Sequence, residues 1–104
     1  HFKKIFFPLC YKDSKGVYAM INFNEYSAGI VIRRLRKEKK LSQEVVSGLA
    51  GIARSHLAMI ETGTKQPNFK TIWRIAYALE MSPHELVLCI EKEAEKAEQS
   101  AQNG

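Results

Sequence analysis

Side chains that could perform catalysis occur at few places in this chain of 104 residues. Ser55 and His56 are adjacent, but successive residues of a helix are rotated by about 100°, so they cannot form a nucleophile–base pair. Cys10 and Cys89 lack a second cysteine or a histidine at zinc-ligand spacing, and we interpret them as reduced packing residues. We find no carboxylate pair or glycine-rich phosphate loop. The sequence therefore predicts no enzyme activity, no metal and no cofactor.

The most informative stretch is residues 42–63, SQEVVSGLAGIARSHLAMIETG, which reads as two short helices joined by a tight turn. Apolar residues at helical spacing are predicted to hold the pair together as one rigid unit: Val46, Ala50, Ile52, Leu57 and Ile60. Polar and basic side chains lie at the start of the second helix, at Arg54, Ser55 and His56. An exposed basic helix start on a rigid unit suits insertion into the major groove, so we predict double-stranded DNA as the partner.

Charge is distributed unevenly along the chain, which carries a formal net charge of +5 and has a pI near 9.3. Residues 29–81 contain ten basic and four acidic side chains, whereas residues 82–104 contain two basic and five acidic ones. This asymmetry is expected if the middle of the chain faces phosphate groups. The alternative is a solvated basic face that has no partner.

Capping residues and apolar periodicity predict an all-α fold of five helices. The predicted helices begin near Asn24, Ser42, Ala53, Asn68 and Pro83. The first should end near Lys40, and the fifth should begin with a capping box between Ser82 and Glu85. After about Glu98 we expect a frayed end.

Residues 1–23 are harder to interpret and are predicted to form an extended or β-hairpin-like arm. KKIFFPLCY and VYAMINF flank the turn sequence DSKG, but Pro8 limits the first segment to an edge or irregular strand. Alternatively, Met20 is the natural first residue and residues 1–19 are foreign to the protein. No apolar run approaches the roughly 20 residues that span a bilayer, so we expect no membrane association.

Four sequence segments together resemble one known family. IRRLRKEKKLSQ, the small-residue turn AGIA, IETGTKQPNF and IAYALEMS are similar, in this order and spacing, to the XRE family of phage-repressor and Cro-type helix-turn-helix proteins. The resemblance covers about Gly29 to Leu86. It implies a five-helix lambda-repressor-like DNA-binding domain over residues 24–86, followed at 87–104 by a helical extension and a frayed tail.

The resemblance also assigns roles to individual residues. Arg54, Ser55 and Met59 fall at the positions that contact base edges, with His56 beside them. The residues implied in phosphate contact are Gln43, at the start of the second helix, and Thr64, Lys65 and Gln66, in the loop after the third. Arg36 and Glu61 match a structural ion pair between the first and third helices.

Three residues depart from the family pattern. Ala53 stands where a serine or threonine usually caps the recognition helix, a loss of about 1 kcal/mol. Lys40 replaces the usual glycine before LSQ, so the first turn must close without the residue best suited to a left-handed conformation. Met59 replaces a polar base-contacting residue.

The family implies a cytoplasmic transcriptional regulator of bacterial or phage origin, a repressor that binds a palindromic operator as a homodimer. Three surfaces could form the dimer: the N-terminal arm, a Trp73–Tyr77 stripe, and a seam on the fifth helix at Leu86, Ile90, Ala94 and Ala97. The alternative function is a protein-interaction module on the same fold, such as an antitoxin or a partner of an antirepressor.

Overall fold

Five helices account for most of the residues that the structure describes. The computed structural model describes the backbone of residues 22–103 and the side chains of residues 22–101. In chain order the helices are α1 (Ser27–Glu38), α2 (Gln43–Ala50), α3 (Arg54–Glu61), α4 (Phe69–Ala78) and α5 (Pro83–Asn103). Within this range there is no strand, and the predicted five-helix all-α fold is confirmed. Residues 1–21 of the predicted arm lie outside the described residues.

Side-chain caps begin α2 and α4 as the sequence predicted. The Ser42 hydroxyl accepts a hydrogen bond from the Val45 N–H at 3.1 Å, and the Asn68 side-chain oxygen accepts one from the Thr71 N–H at 2.8 Å. The start of α1 predicted at Asn24 was wrong by two residues, because the cap position is occupied by Tyr26. The Asn24 side chain accepts instead from the N–H of Tyr26, at 2.9 Å, and the resulting turn delays the helix until Ser27.

The first four helices all end in the same way, with one residue in the left-handed conformation. These residues are Lys40, Gly51, Gly63 and Glu80, whose φ angles are 59°, 70°, 82° and 58°. After α1, for example, the Lys40 N–H donates to the Lys37 carbonyl at 2.9 Å and the Leu41 N–H to the Arg36 carbonyl at 3.1 Å. This is the Schellman motif, which normally uses glycine. At Lys40 the chain adopts it with a full side chain.

A single apolar core joins the helices. It consists of Val31, Ile32, Val46, Ala50, Leu57, Ile60, Ile72, Ile75, Ala76, Ala78, Leu79 and Leu86. The predicted contacts within the helix-turn-helix pair are present, with Ile52 packed against the edge of this core. Helix α2 packs mainly on α4, and α5 lies across α1 and α4. The second helix of the pair, α3, packs on α1 and α2.

Helix α1 approaches the end of α3 at Gly29. A Cβ atom at this position would overlap the Ile60 carbonyl oxygen and would lie 2.8 Å from that of Glu61. The two backbones can touch here only because glycine has no side chain. This contact fixes the distance between α1 and the carboxyl end of α3.

Helix α5 begins at a network around Glu85. The Glu85 carboxylate accepts hydrogen bonds of 2.9 Å from both the Ser82 N–H and the Ser82 hydroxyl. These bonds, the backbone one first, lower the pKa of Glu85 below its ordinary value. Half of the predicted capping box is therefore present: the Glu85 side chain reaches back to the Ser82 N–H, whereas the Ser82 hydroxyl donates to the Glu85 carboxylate instead of accepting from the Glu85 N–H.

The far end of α5 differs from our expectation. Instead of fraying after Glu98, the helix continues to Asn103, through Gln99, Ala101 and Gln102, which favour helix. The Asn22 side-chain amide also donates to the Glu98 carboxylate at 3.1 Å and so fastens this region to the start of the described chain. No helix within residues 22–103 is long and apolar enough to cross a membrane.

Candidate nucleic-acid interface

One side of α3 is free of the core and carries three of the four predicted base-contacting residues. Arg54 and Ser55 are exposed, and Met59 is partly exposed. With 3.6 residues per turn, positions i, i+1 and i+5 share a face, so these side chains project from the same side of the helix. The result is a short surface with a guanidinium, a hydroxyl and a thioether.

His56 and Ala58 occupy places that the sequence interpretation did not give them. His56 is half-buried and shares the side of α3 that carries the buried Ile60, so it lies at the border of the exposed face. Ala58 lies between Arg54 and Ser55 on that face and was missed, although its spacing of four residues from Arg54 could have identified it. Its methyl group leaves room for close approach to a ligand.

A buried ion pair fixes the carboxyl end of α3. Arg36 Nε and Nη2 donate to Glu61 Oε2 and Oε1 at 2.7 and 2.9 Å, and Arg36 Nη1 donates to the Leu41 carbonyl at 2.8 Å. Hydrogen bonding to Glu61 raises the pKa of Arg36 above its ordinary value. Both charged groups are buried and paired in bidentate geometry, which ties α1 to α3 with a defined orientation.

Gln43 belongs to the same network. Its side-chain nitrogen donates to Glu61 Oε1 at 3.0 Å, and the residue is half-buried. The first turn of α2 is thereby connected to the last turn of α3 through one carboxylate. This contact orients Gln43 at the amino end of α2, and its role in phosphate contact stays a prediction.

The loop between α3 and α4 exposes the other three predicted phosphate-contacting residues. The N–H groups of Thr64 and Lys65 both donate to the Met59 carbonyl, at 2.9 and 3.2 Å. The Gln66 side-chain nitrogen donates to the Glu25 carbonyl at 2.7 Å. The loop is therefore fastened to α3 at one end and to the turn before α1 at the other, and the Lys65 side chain remains exposed.

The described residues contain no group of three or more His, Cys, Asp or Glu side chains arranged to hold a metal ion. The candidate interface consists instead of a helix face and a neighbouring loop that share a rigid support. Arg54 and Lys65 give this surface positive charge, while Ser55 and Thr64 add hydroxyl groups. Such a combination can meet base edges and phosphate oxygens together.

Comparison with known proteins agrees with this arrangement. The family model HTH_3, described as helix-turn-helix, matches residues 32–86, which is more than half of the chain. The protein belongs to this helix-turn-helix family and is of the XRE type. It is a DNA-binding transcriptional regulator, a class whose members act by binding DNA rather than as enzymes.

Individual relatives are similar to this chain in sequence or in structure. The chain is 41% identical over 54 residues to y4dJ of Sinorhizobium fredii, an uncharacterized HTH-type transcriptional regulator. The matched region covers 52% of this chain and 70% of y4dJ. The restriction-modification controller C.AhdI of Aeromonas hydrophila is similar in structure, with a TM-score of 0.58 and 35% identity over 60% of this chain and 94% of its own. A variant of C.Esp1396I bound to its highest affinity operator site has a TM-score of 0.64 and 25% identity, over 70% of this chain and 96% of its own.

Proposed function

We propose that this protein is a repressor that binds a palindromic operator as a homodimer, with α3 in the major groove. The observation that carries the proposal is the exposed Arg54–Ser55–Met59 face, held rigidly by the Arg36–Glu61 pair. Rigid support matters because direct readout of bases requires side chains to be placed before binding. The similarity to an operator-bound structure supports the choice of DNA as the partner.

Base recognition in this proposal depends mainly on Arg54. Its planar guanidinium can donate two hydrogen bonds to guanine O6 and N7, a contact that contributes about 1–3 kcal/mol of discrimination between bases. Ser55 can hydrogen-bond to several bases and so discriminates less. Met59 can contribute apolar contact with a thymine methyl group. His56 lies at the border of the face and would act at its edge.

Phosphate contacts would position α3 in the groove. Lys65 provides the charge, and Thr64 and Gln66 lie beside it on the same loop. Gln43 lies at the amino end of α2, where the helix dipole favours an anion. These contacts fix orientation and register but are independent of base identity.

Homodimerisation follows from the size of the module. A single small domain buries only about 600–1,000 Å² on DNA, which limits both affinity and specificity. Two copies related by a twofold axis would place two α3 helices in successive major grooves about 34 Å apart, on a palindromic site. Occupation of such a site within a promoter would block transcription.

Selection of bound sites from a random DNA pool tests this function. We expect a palindrome whose half-sites are separated by about one helical turn. Failure to enrich any sequence would contradict the proposal.

The Arg54→Ala variant tests base reading by α3. Its affinity for the selected site should fall by about tenfold or more, while its affinity for random DNA should fall much less, because only the specific complex uses the guanine contact. Lys92→Ala, on the acidic α5, is the control and should leave both affinities unchanged. Equal losses on specific and random DNA would exclude Arg54 as a base-reading residue.

A protein-interaction function remains the second candidate because aromatic side chains are exposed on α4. Phe69, Trp73 and Tyr77 are all exposed. Binding of a different protein that is insensitive to salt, together with no sequence preference on DNA, would favour this candidate. Steep weakening of DNA binding by salt would favour the operator-binding function, since phosphate contacts release counterions.

A further inference from the structure

Lys40 and Glu80 share a backbone conformation that glycine adopts more readily. Their φ angles are 59° and 58°, and each residue closes the turn at the end of a helix. In both turns the N–H of the left-handed residue and that of the next residue donate to carbonyl groups of the preceding helix, at 2.9 to 3.1 Å. A Cβ atom makes this conformation costly, and glycine avoids the cost. A strained residue that is retained is a candidate for a functional role.

The surroundings of the two strained residues differ. Lys40 lies three residues before Gln43, at the amino end of α2, so the Cα atoms of these two residues are at most about 11 Å apart. Glu80 lies between α4 and α5, neither of which is proposed to contact DNA. The Lys40 side chain is exposed, and residues 37–40 contain three lysines and one glutamate. Of the two residues, Lys40 therefore has the position and the charge that suit a polyanion.

The turn that contains Lys40 is fixed to the network that supports α3. The Leu41 N–H donates to the Arg36 carbonyl at 3.1 Å, and Arg36 Nη1 donates back to the Leu41 carbonyl at 2.8 Å. The same guanidinium holds the Glu61 carboxylate at the end of α3, and this carboxylate accepts from Gln43 at 3.0 Å. The backbone at Lys40 is thus connected through one ion pair to the start of α2 and to the end of α3.

We propose that Lys40 binds a phosphate of the DNA backbone beside the start of α2. A lysine side chain is a compact charge on a flexible four-carbon stem, so it can meet a phosphate without a strict geometric requirement. The contact would add affinity and help to orient α3 in the groove, with no preference for a base. The surface that meets DNA would then extend from the loop after α3, across the start of α2, to the turn after α1.

The proposal explains why the turn after α1 uses a residue that costs stability. Glycine at this position would relieve the backbone strain but would remove the charge. The ion pairs found within residues 22–101 join Arg34 to Glu93 and Arg36 to Glu61, so the Lys40 ammonium group does not offset the strain through a pair in that part of the chain. Loss of stability in exchange for binding is common at functional positions.

Three substitutions of Lys40 separate its charge from its strain. Lys40→Gln keeps the Cβ atom but removes the charge, Lys40→Gly removes both, and Lys40→Arg keeps both. Fluorescence anisotropy on the full chain would measure binding to two labelled duplexes, the selected site and a random sequence, between about 0.05 and 0.3 M salt. Urea denaturation of each variant would measure its stability.

Loss of the charge should weaken DNA binding whether or not the strain is relieved. Lys40→Gln and Lys40→Gly should each reduce the slope of log affinity against log salt by about 0.9 and lower affinity about five- to tenfold at 0.1 M salt, on both duplexes. Lys40→Gly should also unfold at a higher urea concentration than the parent, whereas Lys40→Gln should not. Lys40→Arg should retain the slope. A residue with a structural role alone would not give a variant that is more stable and binds DNA less.

Two control variants exclude general effects of stability and of charge. Glu80→Gly relieves the same backbone strain at the end of α4, so it should stabilise the domain without weakening DNA binding. Lys92→Gln removes one positive charge from α5 and should leave the slope unchanged. An equal loss of slope in Lys40→Gln and Lys92→Gln would overturn the proposal, because it would reflect net charge.

The inference rests on the proposed function in that the α3 side of the domain faces DNA, but the two can fail separately. A selected palindrome that Lys40→Gln binds with an unchanged slope would refute the Lys40 contact alone. Loss of slope on random DNA, in a chain that selects no sequence, would support the Lys40 contact and refute the operator-binding function. A loss confined to the selected site would overturn a phosphate contact, and a chain that binds neither duplex would overturn both proposals.

Discussion

Glu61 is the residue at which three helices of the domain are joined. Its carboxylate, at the end of α3, accepts hydrogen bonds from Arg36 on α1 and from Gln43 on α2. Because the pair is buried, its charges interact strongly but have also lost their hydration, so its net contribution to stability is modest while both partners are present. Loss of one partner is different, because it leaves a buried charge without compensation.

We therefore expect Glu61→Ala to lower the free energy of unfolding by about 3–5 kcal/mol. Glu93→Ala is the matched control, because Glu93 pairs at 2.9 Å with Arg34, which is well exposed to solvent. That change should cost less than about 1 kcal/mol. Urea denaturation of the two variants measures both values. Equal effects would show that burial of the Arg36–Glu61 pair has no energetic consequence.

The left-handed conformation of Lys40 leads to a second prediction at this scale. Glycine tolerates a φ angle near 59°, whereas a residue with a Cβ is strained by about 1–2 kcal/mol, so Lys40→Gly should raise the unfolding free energy by about 1 kcal/mol. The neighbouring Lys39 has a φ of −85°, and Lys39→Gly should give no gain. Thermal unfolding at low protein concentration compares the two. A stabilisation by Lys39→Gly equal to that of Lys40→Gly would contradict the explanation.

At the scale of helices, the position of α3 depends on how closely α1 can approach it. Gly29 is the contact point, and Arg36, about two turns further along α1, pairs with Glu61 at the same end of α3. The exposed face of α3 is therefore positioned by a backbone contact as well as by a charged one. Displacement of α1 should affect both stability and DNA binding, although α1 is not proposed to contact bases.

Two glycine substitutions test the importance of the close approach between α1 and α3. Gly29→Ala should destabilise the domain by about 2–3 kcal/mol, since the new methyl group meets main-chain carbonyls that cannot move independently. At Gly48, inside α2, an added Cβ has no neighbour within 4 Å, and Gly48→Ala should stabilise the domain by about 0.5–1 kcal/mol. Chemical denaturation measures the change in the free energy of unfolding for both variants and so gives its sign. Similar losses at the two positions would argue against the α1–α3 contact.

At the scale of the whole molecule, basic and acidic residues are separated along the chain. The basic residues are concentrated in residues 29–81, which include most of α1 and all of α2 to α4. Residues 82–104, which include α5, carry more acidic than basic side chains. We expect this distribution to orient the domain on DNA, with the α3 side toward the polyanion and α5 away from it. The exposed aromatic side chains of α4, Phe69, Trp73 and Tyr77, add a third, apolar kind of surface.

The salt dependence of DNA binding tests this orientation. Lys65→Gln should reduce the slope of log affinity against log salt concentration by about 1, because one counterion-releasing phosphate contact is lost. Lys92→Gln removes the same charge from α5 and should leave the slope unchanged. Fluorescence anisotropy with labelled operator DNA at several salt concentrations measures both. A reduced slope for Lys92→Gln would mean that α5 also faces DNA.

Local signals in the sequence were sufficient for most of the helices and turns. Ser42 and Asn68 cap α2 and α4, and Gly51 and Gly63 end α2 and α3, because each acts through hydrogen bonds or dihedral angles within a few residues. The start of α1 was misplaced because the Asn24 side chain can bond either to a helix N–H or within a tight turn, and the sequence permits both. The composition of the α3 face was also predictable, apart from Ala58 and the border position of His56.

What the sequence alone determined was thus the set of helices, their family resemblance and the side chains on α3. It could not decide which apolar residues lie inside, since the Trp73–Tyr77 stripe and the Leu86–Ala94 seam both have helical spacing. The tertiary structure decided between them: α5 packs its seam onto α1 and α4, while α4 uses Ile72, Ile75 and Leu79 for the core and leaves its aromatic residues outside. The physical reason is that burial depends on which helices meet, and periodicity within one helix cannot specify its neighbours.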